Sequence, residues 1–253
     1  MQLWTPEHIR SLLPAVAVMI ALAVGLRSWI GKREWKIRMI PLQIVAVLLV
    51  CMEIGKQVLS LKNGYDLYHL PFHFCSMFIF MVPIMAFYRG KHQAKIGGIT
   101  AALCMSAALL MLIYPDLIYS AGNVQNFFKG YFDFHTVAFH NLVLFAAILI
   151  IALELHTPAP KGEAKATALY MLVFCVISAS MANLLQTNFN NFYSCNIPPL
   201  ETVRQSLQSV LGYGLTQVLY VLIVTPLNIG FVQMSYWFYR LCRGILARFT
   251  HKN

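Results

Sequence analysis

Charge is scarce in this sequence. Of its 253 residues only 11% are Asp, Glu, Lys or Arg, and just 9 are acidic, while 59% are hydrophobic. About a quarter of a soluble domain is charged, so this usage excludes an ordinary soluble fold. Long polar stretches are missing too: the longest segments between apolar runs, about 115 to 131 and 188 to 206, leave no room for a separate extramembrane domain. Paired cysteines are also absent. Cys51, Cys75, Cys104, Cys175, Cys195 and Cys242 show no CxxC spacing, so neither a disulfide framework nor a zinc cluster is indicated.

What is present is apolar sequence in membrane-length runs. A helix needs about 20 residues to cross a hydrocarbon core, and such runs recur at about 11–30, 38–61, 69–88, 94–114, 132–155, 166–187 and 207–239. The expected fold is therefore an all-α polytopic membrane protein, a bundle of about seven transmembrane helices, with residues 1–253 read as one integral membrane domain. Pro226 in the last run is expected to kink it or turn the following residues along the interface.

Basic residues orient such a bundle. Fourteen of them (Arg27, Lys32, Arg33, Lys36, Arg38, Arg89, Lys91, Lys95, Lys161, Lys165, Arg240, Arg243, Arg248 and Lys252) fall on one side of a seven-span topology, and only Arg10, Lys62, Lys129 and Arg204 on the other. The positive-inside rule then puts the N-terminus outside and the C-terminus in the cytoplasm. The same loops, next to an anionic leaflet, account for the formal charge of +10 and remove any need for a nucleic-acid partner.

Ionisable and amide side chains inside a membrane are costly and mark function, and here they gather in the outer halves of five helices. Glu53 and Lys56 lie on helix 2, His69 and His73 at the start of helix 3, and Asp133, His135 and His140 on helix 5. Asn183, Gln186, Asn188, Asn190 and Asn191 end helix 6; Gln205, Gln208 and Gln217 begin helix 7. Positions three, four or seven apart share a helical face, which pairs His69 with His73, Glu53 with Lys56, and Asp133 with His140. An acid that orients an imidazole is the arrangement used in general acid–base chemistry. Plainer readings stand beside these. Glu53 and Lys56 neutralise each other within the bundle, and His69, His135 and Asp116 sit in hydrated positions near the interface. Asn188, Asn190 and Asn191 are turn residues, and Cys75 is a small core residue.

The order of motifs is informative. "MEIGKQ" (52–57), "LPFHFCSM" (70–77), "LIYPD" (112–116), "AFHNLVLFAAILII" (138–151) and "TNFNNFYSC" (187–195) resemble the transmembrane protein 164 family with its bacterial YwaF-like members, over about residues 45–225. The resemblance implies a membrane acyltransferase moving fatty acyl chains between phospholipids through a cysteine, and residence in a bacterial plasma membrane. In those acyltransferases the cysteine stands between the proline and histidine of helix 3. Pro71 and His73 match, but Phe72 occupies the cysteine's position, so the nucleophile does not carry over. Cys75 is the displaced candidate, activated by His140 across the bundle, and Thr136 a weaker one.

Three functions are thereby expected to compete. The first is acyl transfer or ester hydrolysis on membrane lipids, without a cofactor. Its catalytic candidates are His140, His73, Cys75 and Asp133, and its substrate-binding candidates are Asn188, Asn190, Asn191, Glu53, Lys56 and Gln208. The second is a zinc-dependent intramembrane hydrolase using His73, His140, His69 and an Asp. The third is a small-molecule transporter or binding protein using the same pocket.

Overall fold

A computed structural model describes residues 4–159 and 162–250, and among them all regular structure is helical. Lys161 and Lys252 of the charge reading lie outside the described residues. The α-helices are α1 (Pro6–Ile30), α2 (Trp35–Lys62), α3 (Met77–Phe87), α4 (Gln93–Ile113), α5 (Ala121–Gln125), α6 (Tyr131–Ala152), α7 (Glu163–Leu184), α8 (Pro198–Leu211) and α9 (Tyr213–Thr250). Of these, α1, α2, α4, α6, α7 and α9 are long and apolar enough to cross a membrane.

Small residues decide which helix is central. Gly97, Gly98, Thr100, Ala101, Ala102, Ser106, Ala107 and Ala108 let the neighbours of α4 approach its backbone closely. Helices α3, α6, α7 and α9 surround it. In consequence 72% of the most apolar window of α4 is buried, against 17% in α1 and α9, whose Leu, Ile and Val side chains face outward as in lipid-exposed helices.

The third apolar run departs from the expected helix over 69–88. Only Phe74–Phe87 is helical, a rise of about 21 Å at 1.5 Å per residue. Leu70 and His73 are extended, with ψ of 147° and 157°. Pro71 causes the break, because its ring disfavours helical geometry at the residue before it; it lies ahead of the helix and not within the first turn. His69 and His73 are therefore not neighbours on a helical face. Even so, the run follows α2 for most of its length. Gln57 bonds the His69 carbonyl at 2.8 Å near one end of α2, Gln43 bonds the Ala86 carbonyl at 3.2 Å, and Arg89 stacks over Trp35 at 4.6 Å near the other.

Two polar assemblies brace the end of the bundle where most basic residues collect. At the C-terminus of α6, Arg27 bonds the Ala152 carbonyl, Arg38 that of Leu153 (2.8 Å), Arg243 that of Ile151 (3.4 Å) and the Trp35 indole that of Leu155 (3.0 Å). Cations and donors there satisfy orphan carbonyls and complement the helix dipole. Beside them the buried Glu163 carboxylate accepts from Tyr236 (2.9 Å) and the Ala159 amide (3.0 Å), with His156 Nε2 at 3.2 Å. Gly97 and Gly98 make the notch: a Cβ on Gly97 would meet the His156 ring at 2.5 Å, and one on Gly98 the Glu163 carboxylate at 2.8 Å.

The last run begins differently from the expected 207–239 helix. Residues 198–211 form the separate helix α8, and after a turn at Gly212 helix α9 runs through Pro226 without stopping. Arg204 joins the two. Its guanidinium takes both carboxylate oxygens of Glu201 (2.6 and 2.8 Å), reaches Gln217 at 3.4 Å and lies 5.7 Å over the Tyr220 ring.

Gly98→Ala is expected to push Glu163 from its partners at a cost of about 1–3 kcal/mol, seen as a lowered Tm in a thermal melt in detergent. Gly25→Ala, at a helical position with open space around it, is expected to hold or raise Tm. A pH test follows from Glu201, whose carboxyl the bonds from Arg204 hold down at about 2. A depressed carboxyl contributes stability above its ordinary value of 4.5 and loses it as pH falls towards 2. The Tm advantage of the native chain over Glu201→Gln is therefore expected to be constant above pH 5 and to vanish on acidification.

Candidate functional site

A cavity of about 660 Å³ opens at the other end of the bundle, lined from α2, the 68–79 segment, α6, the turn after α7, and α9. It gathers Glu53, Lys56, four histidines (His69, His73, His135 and His140), Cys75, and Asn188, Asn190, Asn191, Asn196 and Asn228 among apolar side chains. Convergent polar groups in a largely apolar concavity are the usual anatomy of a small-molecule site.

"MEIGKQ" builds one wall. Glu53 turns inward and bonds Lys56 (2.9 Å) and Gln57 (2.7 Å), with His135 Nε2 at 3.5 Å. Gly55 leaves space for the Tyr131 phenol, which bonds the Met52 carbonyl at 2.7 Å. Gln57, besides holding Glu53, caps the His69 carbonyl and accepts from Tyr65 at 2.7 Å. The expected neutralisation of Glu53 by Lys56 is what the geometry gives, and both still line the cavity.

"LPFHFCSM" builds the second wall. His73 Nε2 is 2.8 Å from the Tyr68 carbonyl, which can only accept, so Nε2 carries the proton and a neutral ring keeps its lone pair on Nδ1. Phe189 packs edge-on against His73 at 5.2 Å and against Phe72 at 5.3 Å. Cys75 faces the cavity from the first turn after the break, half-buried and unbridged. A helical wheel would set Cys75 and His73 on opposite faces, but the extended backbone at His73 brings both to this one space. Phe72, where the resemblance sets a cysteine, is absent from the lining; its carbonyl accepts from Ser178 at 2.8 Å.

His140 occupies the third wall, on α6. Its Nδ1 donates to the Thr136 carbonyl at 2.6 Å, leaving the Nε2 lone pair on a neutral ring with no hydrogen-bond partner among the described residues. Asp133 does not orient it. That carboxylate accepts from Asn123 of α5 at 2.8 Å and lies outside the cavity lining, so the expected Asp133 and His140 pair gives way to a backbone carbonyl as the orienting group.

The asparagine turn closes the site. Asn188 is structural in part, its Oδ1 accepting from the amides of Tyr193 (3.3 Å) and Ser194 (3.1 Å). Asn190 and Asn191 stand in left-handed conformation, φ of 50° and 60°, which asparagine tolerates better than most residues. Asn190 Nδ2 and Asn191 Oδ1 are buried without a partner, one donor and one acceptor. Gln208 is elsewhere: it sits on α8, accepts from Arg204 at 3.3 Å and does not line the cavity.

Three of the polar contributors named above were not selected from the sequence: His135, Asn228, and Asn196 just ahead of α8. His135, expected to be solvated, is 7% exposed and stacks on Phe139 at 5.2 Å. Asn228, an amide two residues past Pro226 in an apolar run, lines the cavity from α9; its polarity in that run was the available signal.

The model of the TMEM164 family matches residues 3–236. The chain belongs to the TMEM164 family. No curated protein and no solved structure matches it. The match spans all three walls of the cavity in this TMEM164 family member, and α8 as well.

The zinc alternative calls for three or more protein ligands converging on one ion. Among the described residues no group of three or more His, Cys, Asp or Glu is disposed to hold a metal ion.

The left-handed turn is separable from its amides. Asn190→Gly is expected to keep Tm near that of the native chain. Asn190→Val is expected to lower stability by about 1–2 kcal/mol, since a branched side chain resists left-handed geometry; thermal melts of the two variants check this.

Proposed function

We propose that the cavity binds a membrane phospholipid and that the protein catalyses acyl transfer or ester hydrolysis on it, with His140 as general base. The observation that carries this reading is the free Nε2 of His140, held on a neutral ring by the Thr136 carbonyl and facing a space that also holds Cys75, His73 and unpartnered asparagine amides. A buried base with its lone pair open to the cavity suits removal of a proton from an attacking group. Asn190 Nδ2 is an unused donor of the kind that stabilises an oxyanion or fixes an ester carbonyl. Lys56 and His69 supply cationic or donor groups suited to a headgroup phosphate, and the apolar lining suits acyl chains.

Two nucleophiles fit. A thiol from Cys75 gives an acyl-enzyme and hence transfer; water gives hydrolysis directly. The charge pattern supports an outer-leaflet position for this cavity, because the basic end of the bundle, with Arg27, Arg38, Arg89 and Arg243, is the opposite one.

The test is turnover of a defined phospholipid mixture by the purified protein, following lyso-lipid, free fatty acid and acyl exchange by mass spectrometry. His140→Ala is expected to lose at least ~100-fold in rate. Loss in Cys75→Ala as well selects the thiol route, and retention selects water. A native protein that binds these lipids without turning any over is a binding protein, and the enzymatic reading then fails.

A further inference from the structure

Helix α8 has three faces, and only one of them is used by the protein. Steps of three and four residues align positions on one side of a helix, and they sort α8 cleanly. Glu201, Arg204 and Gln208 form the first face; they are the only residues of Pro198–Leu211 that are even half-buried, and all three turn toward α9 and the 192–195 turn. Besides the Arg204 contacts with Gln217 and Tyr220, Glu201 accepts from the Cys195 amide at 2.8 Å. The second face is Thr202, Gln205, Ser206 and Ser209, all exposed, with three hydroxyls and an amide. The third is Leu200, Val203, Leu207 and Val210, 54%, 56%, 45% and 79% exposed.

The docking of this helix is inverted relative to a surface helix of a soluble protein. Such a helix turns its apolar stripe to the core and its charges to water. Here the charged face is turned to the protein, where the Glu201 and Arg204 pair is internally neutralised, and the apolar stripe is turned away. Two exposed faces of opposite chemistry on one helix require two solvents. Helix α9, which follows α8 directly, also exposes Leu215, Val218 and Leu222, and it is long and apolar enough to cross a membrane. With one acid and one base, α8 has no net charge to attract an anionic surface. Its affinity for a membrane thus comes from apolar side chains alone.

We propose that α8 is an amphipathic helix seated at the lipid–water boundary of the membrane, its partner the acyl region of a leaflet along Leu200, Val203, Leu207 and Val210, with Thr202, Gln205, Ser206 and Ser209 toward water. Residues just ahead of α8, Asn196 and Ile197, line the cavity. The mouth of the cavity is thereby fixed near headgroup depth and open sideways to lipid. The inference stands on the faces of α8 and does not require the catalytic reading.

The experiment uses the full chain with its six cysteines changed to alanine. Single cysteines are then introduced by Val203→Cys, Leu207→Cys and Val210→Cys, and by Thr202→Cys, Ser206→Cys and Ser209→Cys. Each is spin-labelled in phosphatidylcholine vesicles, and its accessibility to oxygen, which concentrates in lipid, is compared with that to a water-soluble nickel chelate. The expected result is a reversal: oxygen dominates at 203, 207 and 210, and the chelate at 202, 206 and 209. Equal ratios in both sets overturn the proposal. So does shielding of the apolar set from both reagents with dipolar broadening between labels, which would mean that a second copy covers the stripe. If the cysteine-free chain does not fold, Val210→Trp and Ser209→Trp in the native background give the same readout. Bilayers with brominated acyl chains are expected to quench added fluorescence in the first and spare it in the second, and equal quenching overturns the assignment.

Discussion

A backbone that stops being helical inside a membrane bundle must find partners for its amides and carbonyls, because lipid offers none. The break ahead of α3 meets this requirement with side chains. Gln57 of α2 takes the His69 carbonyl, Ser178 of α7 takes that of Phe72, and His73 itself takes that of Tyr68. The first two bonds tie the broken segment to α2 and α7, and the third closes it on itself, so the break is held in one conformation. The third bond also fixes the tautomer and direction of His73 in the cavity wall. Without the Pro71 break, residues 69–73 would continue a regular helix, and His73 and Cys75 would point to opposite sides.

The two ends of the bundle divide the work. At the basic end the acceptors are paired, while Arg38 Nε and Arg243 Nε stay buried without a partner: Glu163 has three partners, and the carbonyls at the end of α6 are covered by arginines and a tryptophan. At the cavity end, saturation is incomplete, with His140 Nε2, Asn190 Nδ2 and Asn191 Oδ1 left open. A buried polar group without a partner costs about 1–3 kcal/mol, and such costs persist where a ligand supplies the missing bond. The densely packed α4 between the ends, rich in glycine and alanine, gives the rigidity that keeps these groups from relaxing onto one another.

The apolar runs and the gathering of polar residues at one end were legible because both depend on composition and on helical period, which the sequence displays directly. His140 and the Glu53 and Lys56 pair were legible for the same reason: they are polar residues in apolar segments. Illegible were features that depend on a partner distant in sequence. Asp133 shares a face with His140 on α6, yet Asn123 from the short helix α5 claims it. His135 reads as interfacial until α2 brings Glu53 against it. Helix α8 was hidden because its apolar and polar residues average to a neutral stretch, and Gln208 was drawn into the site only by assigning it to the following span.

The geometry of this segment also bears on position 72, where the resemblance sets a cysteine. The irregular backbone after Pro71 sends His73 to the cavity and Phe72 elsewhere. Phe72 is absent from the cavity lining and lies against Phe189, a fully buried ring that also contacts His73. Phe189 begins the turn that carries Asn190 and Asn191, so Phe72 ties the two irregular segments of the site together. In this chain position 72 therefore has a packing role, and a thiol placed there on this backbone would leave the Phe189 ring without its edge contact. Cys75, where the helix has resumed, is the one cysteine that the fold delivers to the cavity among the described residues. Under the lipid chemistry proposed above, the nucleophile at His140 is either that thiol or a water molecule.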